Sequence, residues 1–179
     1  GVLAIQGPPG AGKTYTAAHV IVALVRDGKR VGIAANSHAV ISNLLQSVAE
    51  LAEQQQVSLR AMQKTSAGKD TTNHAAVTAA SNVDIEQALT NRKVDVVAGT
   101  AWLFSRVGMI GLLDVLVIDE AGQLSLANVA AVAPSALSLV LVGDPRQLSQ
   151  PSKGSHPDGA EASALEHALA GAATVSPDR

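Results

Sequence analysis

The feature that most constrains this chain is an eight-residue turn, Gly7-Pro8-Pro9-Gly10-Ala11-Gly12-Lys13-Thr14. It lies between the apolar run Val2–Gln6 and an amphipathic stretch over Gly12–Arg26. It satisfies the pattern GxxxxGK[ST] in full, in the strand–turn–helix setting that the pattern requires. Each residue type has a physical reason. Glycines let the backbone turn its N–H groups inward as an anion nest, and the start of the helix adds a favourable dipole. Lys13 can then reach the outer phosphates of a nucleotide, and the Thr14 hydroxyl can ligate Mg²⁺. Gly7, Pro8, Pro9, Gly10, Ala11, Gly12, Lys13, Thr14 and the following Tyr15 are the candidate nucleotide-binding residues.

The rest of the chain has the pattern that such a turn needs. Short apolar runs predict strands over Val2–Gln6, Arg30–Ala35, Leu59–Gln63, Asp95–Gly99, Asp114–Ile118 and Ser138–Val142. Helices are predicted over Gly12–Arg26, His38–Gln54, Asp84–Asn91, Ser125–Val132 and Ala160–Ala170. Runs such as Val115-Leu116-Val117-Ile118 lack polar alternation, as expected of strands covered on both faces. Strand–helix alternation of this kind predicts an α/β fold, a parallel sheet with helices on both faces. At 179 residues the chain is one domain. Tyr15, Trp102 and Phe104 are its only aromatic residues, so the core must be aliphatic. The polar stretch Lys64–Thr78 reads as a loop.

Composition excludes several classes. There is no cysteine, so neither a disulfide scaffold nor a Cys-ligated metal is available. No apolar run approaches the roughly 18 residues of a membrane span, and no secretory leader is visible. A cytoplasmic location without membrane contact is therefore expected. The net charge of −2 and pI of about 6.2 leave nucleic-acid binding to local contacts rather than bulk charge. Both ends read as interrupted strands, so the chain is expected to be a piece of a longer polypeptide.

Two further sites stand at strand ends. Asp119-Glu120 follows Val115–Ile118, at the carboxyl edge where ligands bind in open α/β sheets. Asp119 there can hold Mg²⁺ together with Thr14, and Glu120 can orient or deprotonate an attacking water. Asp95 and Asp114 begin their strands and so lie at the opposite edge. Gly143-Asp144-Pro145-Arg146-Gln147-Leu148 follows the last strand, and the Gln147 amide can hydrogen-bond a γ-phosphate or the attacking water. Lys13, Glu120 and Gln147 are the candidate catalytic residues; Thr14 and Asp119 are the candidate metal ligands.

Taken together these sites resemble superfamily 1 helicases. GPPGAGKT resembles motif I, DEAGQ (Asp119–Gln123) motif II, and GDPRQL (Gly143–Leu148) motif III. Asn36-Ser37-His38-Ala39-Val40-Ile41-Ser42-Asn43-Leu44-Leu45 is similar to motif Ia, and departs from it at Asn36 (usually Pro) and His38 (usually Asn). Val97-Ala98-Gly99-Thr100 is similar to motif Ic. The form of motifs Ia and II is nearest the branch containing the nonsense-mediated-decay helicases. GTAWLFSR, DEAGQLSLANVAA and GSHPDG resemble, more narrowly, the helicase half of bacterial RecB-like nuclease–helicase fusions.

The resemblance implies a RecA-like P-loop NTPase domain that binds ATP and Mg²⁺ and couples hydrolysis to movement on single-stranded DNA or RNA. It further implies nucleic-acid phosphate contacts from Ser37 and Thr100, and a second RecA-like domain that this sequence lacks. The narrower match also implies a fused nuclease domain. Without the second domain's arginines, hydrolysis by this chain alone is expected to be slow. The competing function is a P-loop ATPase with a protein or small-molecule client, of AAA or kinase type; the ordered motif set and Thr100 favour the helicase.

Secondary expectations follow for single residues. Trp102, beside Leu103 and Phe104, reads as core rather than as a stacking platform. His19, His38, His74, His156 and His167 read as surface or packing residues. Gln123 fits either a link between the Mg²⁺ site and motif III or a helix cap.

Overall fold

The structure, a computed structural model, describes residues 1–65, 72–144 and Leu165. Among these, seven strands form one sheet in which every pairing is parallel. In chain order they are β1 (Val2–Gln6), β2 (Val31–Ala34), β3 (Ala61–Lys64), β4 (Val77–Ala80), β5 (Val96–Gly99), β6 (Leu113–Ile118) and β7 (Ala136–Gly143). Across the sheet the order is β1-β7-β6-β2-β5-β3-β4. The helices are α1 (Lys13–Arg26), α2 (His38–Gln54), α3 (Asn82–Thr90), the single turn α4 (Ala101–Phe104) and α5 (Leu126–Val132).

Alternation along each strand divides the core into two layers. Ile33, Val96, Ala98, Val117 and Val140 join α1 and α2 on one face. Ala34, Val97, Leu116, Ile118 and Leu141 join α3, α4 and α5 on the other. This double cover is why β2 and β5 are buried at every residue. The close approach of α4 to the sheet depends on Gly32. A Cβ there would lie 2.7 Å from the side chains of Leu113 and Leu116 and 2.9 Å from Phe104.

The predicted parallel α/β sheet with helices on both faces is the fold observed, and the bounds of β1 and α2 coincide with their predicted ranges. Three differences are informative. First, β4 takes up the last two residues of the stretch expected to be a loop, Val77 and Thr78, and runs on to Ala80. It pairs on one side with β3 and has no further strand beyond it among the described residues. Second, α4 is a one-turn helix that no periodicity announces. Third, Trp102 is 84% exposed while Leu103 and Phe104 are buried, which corrects the core assignment. A single turn offers the core only part of its circumference, and Leu103 and Phe104 already occupy it. Apart from Leu165, the predicted helix Ala160–Ala170 lies outside the described residues, as does the interrupted strand expected at the end of the chain.

Parallel strands place all their carboxyl ends on one rim. There β1 opens into the phosphate-binding turn, β2 into Asn36-Ser37, β5 into Thr100, β6 into Asp119-Glu120 and β7 into Asp144. The opposite rim is held by two matching clasps. Arg30 N–H and Nε donate to Asp114 Oδ2 at 2.8 and 3.1 Å, and the Asp114 N–H returns a bond to the Arg30 carbonyl. Arg60 and Asp95 repeat the pattern between β3 and β5. The acidic residues set aside as lying at the wrong edge are therefore structural clasps.

Candidate functional site

The turn after β1 is shaped by Gly10 and Gly12, both at φ +78°, a left-handed conformation that glycine adopts without strain. Gly12 precedes α1 without a side-chain cap, which leaves the first N–H groups of that helix available to an anion. The Lys13 Nζ donates to the carbonyls of Gly7 at 2.7 Å and Pro8 at 2.9 Å. An ammonium has three donors, so it folds over the turn with one left for a ligand.

Sheet order decides what faces this turn. Because β7 lies between β1 and β6, its end sits between the turn and Asp119-Glu120. The Gly7 N–H donates to the Gly143 carbonyl at 3.2 Å, and the Asp119 N–H donates to Ala34 at 2.8 Å. Gly122 packs so closely on β7 that a Cβ would run into the Asp144 carbonyl oxygen. The result is a cavity of about 240 Å³ lined by Pro9, Lys13, Thr14, Val40, Asn43, Asp119, Glu120, Gly143 and Asp144.

The two carboxylates in this cavity are poised differently. Asp119 is only 7% exposed. Burial pushes its pKa up, against the opposing pull of the Glu120 N–H and the Lys13 charge. Glu120 is half-buried, and burial followed by the charge of Asp119 raises its pKa too. It also sits in the left-handed region, at φ 55° and ψ 37°, where a side chain other than Gly, Asn or Asp is strained. Strain of this kind is found where a group must be aimed. Two adjacent, poorly solvated carboxylates facing a lysine and a threonine hydroxyl make a site that a divalent cation would relieve.

Other predicted residues are placed less uniformly. Tyr15 lies away from this cavity: its ring sits 4.1 Å from that of His19, and both line a separate groove with Ser47 and Glu50. The Ser37 hydroxyl caps α2 by accepting from the Val40 N–H at 3.2 Å. Thr100 precedes α4 with no cap bond from its side chain. The cap of α5 comes from Ser125, which accepts from Asn128 N–H, so Gln123 does not take that role. Arg146 and Gln147 lie outside the described residues, as do His156, His167 and the GSHPDG segment.

Sequence reasoning missed Asn43 and Asp144 as lining residues. Val40 and Asn43 stand three apart on α2, the spacing that puts two side chains on one helix face; that signal was available. A second cavity, of about 680 Å³, opens on the same rim between α2, α4 and α5.

A glycine-rich turn and helix start on β1, with an acidic pair two strands away on β6, define the P-loop nucleoside-triphosphatase class with a RecA-like sheet. Within that class, a family model for the AAA domain matches residues 1–170, and the chain belongs to that family. No curated protein matches the sequence. Among solved structures, the chain is similar to an arterivirus nonstructural protein 10 (helicase) in complex with DNA. That match has a TM-score of 0.56 and 15% identity, over 87% of this chain and 32% of that one. It is also similar to a nuclease-deletion mutant of the Type ISP restriction-modification enzyme LlaGI in complex with a DNA substrate mimic. There the TM-score is 0.55 and the identity 17%, over 84% of this chain and 17% of that one. The chain thus spans about a third or less of either, and these likenesses concern the fold. Among the described residues no helix is long and apolar enough to cross a membrane.

Proposed function

We propose that this chain is the ATP-binding and hydrolysing core of a nucleic-acid-dependent ATPase of helicase type. The observation that carries the proposal is the meeting of Lys13, Thr14, Asp119 and Glu120 around one cavity at the carboxyl rim. In this reading the Gly7–Gly12 backbone and the Lys13 ammonium grip the triphosphate. Thr14 and Asp119 hold Mg²⁺, which needs only one or two protein ligands when phosphate oxygens supply the others. The metal, when bound, neutralises charge on the outer phosphates. Glu120, adjoining the metal ligand and held at a fixed backbone angle, takes a proton from the attacking water. Gln147 is proposed to touch the γ-phosphate or that water.

Ser37 and Thr100 are proposed to contact nucleic-acid phosphates, which position a strand without reading its sequence. Support for a nucleic-acid partner comes from the helicase-type order of motifs and from the DNA, or DNA substrate mimic, held by the two similar structures. A second RecA-like domain would bring an arginine across the cleft, a contribution worth roughly 10³–10⁵ in rate in comparable enzymes. The isolated chain should therefore bind nucleotide and turn it over slowly. A nuclease fused to the same polypeptide is part of the proposal.

The test is the ATPase rate of the full-length protein with and without single-stranded DNA or RNA. Stimulation by either polymer is expected. No stimulation by either would favour an AAA-type protein client instead.

A further inference from the structure

The larger rim cavity has a chemistry unlike that of the phosphate site. It is built by register: Ala34 pairs with Gly99 across β2 and β5, so the residues that follow them emerge side by side. Asn36 and His38 come from one strand end, Thr100 and Trp102 from the other, and Ser105 and Asn128 complete the polar lining. Histidine apart, no ionisable side chain among the described residues lines it. A phosphate would find no fixed cation there.

Two observations ask for a ligand. The Asn36 Nδ2 and His38 Nδ1 atoms are buried and have no hydrogen-bond partner among the described residues. Buried polar atoms are almost always satisfied, so two orphans on one cavity wall need a reason. Trp102, an apolar ring of large area, is 84% exposed on the same wall. The volume of about 680 Å³ falls within the roughly 300–1,000 Å³ of small-molecule sites. A flat, uncharged heteroaromatic with a hydrogen-bonding edge satisfies all of this.

We propose that this groove holds one unpaired nucleobase of the bound strand, stacked on Trp102 with its edge bonded by Asn36 and His38. The inference rests on the nucleic-acid reading above and deepens it. It gives the chain a contact with bases in addition to the phosphate contacts assigned to Ser37 and Thr100. It also gives a purpose to Asn36 and His38, the two departures from the motif Ia pattern. Stacking tolerates any base, whereas the amide and imidazole prefer edges offering complementary groups.

The experiment measures the affinity of the full-length protein for short single strands of thymidine and of uridine. Each is set against a strand of equal length carrying abasic sites in place of the bases. Wild type should bind at least one base-bearing strand more tightly than its abasic counterpart. Trp102→Ala should lose roughly tenfold for that strand, within the range for one stacked base, and nothing for the abasic one. Trp102→Phe should restore most of the loss, and Asn36→Ala should lose a few-fold for the base-bearing strand alone. Equal affinity of wild type and Trp102→Ala for the base-bearing strand would overturn the proposal and make Trp102 a docking residue for another domain or protein. Equal losses on both strands would overturn it in favour of a backbone role. Failure of wild type to bind any of these strands would overturn the nucleic-acid reading itself, and the base site with it.

Discussion

Glu120 joins a proposed chemical role to an unfavourable backbone, and the two can be separated by substitution. An L-residue in the left-handed region costs roughly 1–2 kcal/mol, but Asn tolerates it because its short side chain bonds locally. Glu120→Gln removes the charge next to Asp119 and keeps the strain; Glu120→Asn removes both. Their difference isolates the backbone contribution, because the charge is absent from each. With φ at 55° and ψ at 37°, Glu120→Asn should be more stable than Glu120→Gln by about 1 kcal/mol. For a chain of this size that is about 2–4 °C in melting temperature. Both variants should retain nucleotide affinity, read by titration with a fluorescent nucleotide, and both should lose turnover. An Asn variant that melts at or below the Gln variant would refute the strain argument. Loss of nucleotide binding in Glu120→Gln would refute the role given to the side chain.

Three other outcomes are expected. Lys13→Ala should abolish nucleotide binding while leaving the melting temperature within a few degrees, because among the described residues the lysine bonds to the carbonyls of its own turn alone; unchanged affinity in the same titration would count against the phosphate site. Gly122→Ala should cost about 1–3 kcal/mol in denaturant unfolding, typical of overpacking, since the Asp144 carbonyl stands where the new methyl must go; a neutral result would mean that β7 and the acidic turn are not in rigid contact. The Asp114 carboxyl is held below the usual range, chiefly by its hydrogen bonds from Arg30. A depressed acid adds stability above its unfolded pKa and loses it as pH falls. Asp114→Asn should thus destabilise by on the order of 1 kcal/mol at neutral pH, with the gap from wild type closing in acid; a gap that widens in acid would reverse the sign.

Much of the candidate site was legible because it is sequential: Asp119 and Glu120 follow directly from β6, and Lys13 and Thr14 close the turn that leaves β1, both strands that apolar runs announce. The two-faced core was legible for the same reason, since Val115–Ile118 has no polar face to give to water. What was not legible depends on pairing between distant segments. β4 is a short outer strand in polar surroundings, and its pairing with β3 leaves no mark in composition. Gln63 looks like an ordinary polar strand residue, yet it is buried, donating to Ser42 Oγ at 2.8 Å and accepting from the Thr72 N–H at 2.8 Å. Trp102 was misread because adjacency to Leu103 and Phe104 says nothing about how much of a one-turn helix meets the sheet. The Asn36–Trp102 groove exists only through the Ala34–Gly99 register, which no single segment encodes.

The Arg30–Asp114 and Arg60–Asp95 clasps sit at the far end of the strands from the nucleotide turn. Residues tuning endurance against heat or acid are thereby segregated from the residues proposed to handle a triphosphate. An engineer could reinforce or loosen the first set and leave the proposed reaction untouched, treating one extremity of the sheet as the grip and the other as the working tip.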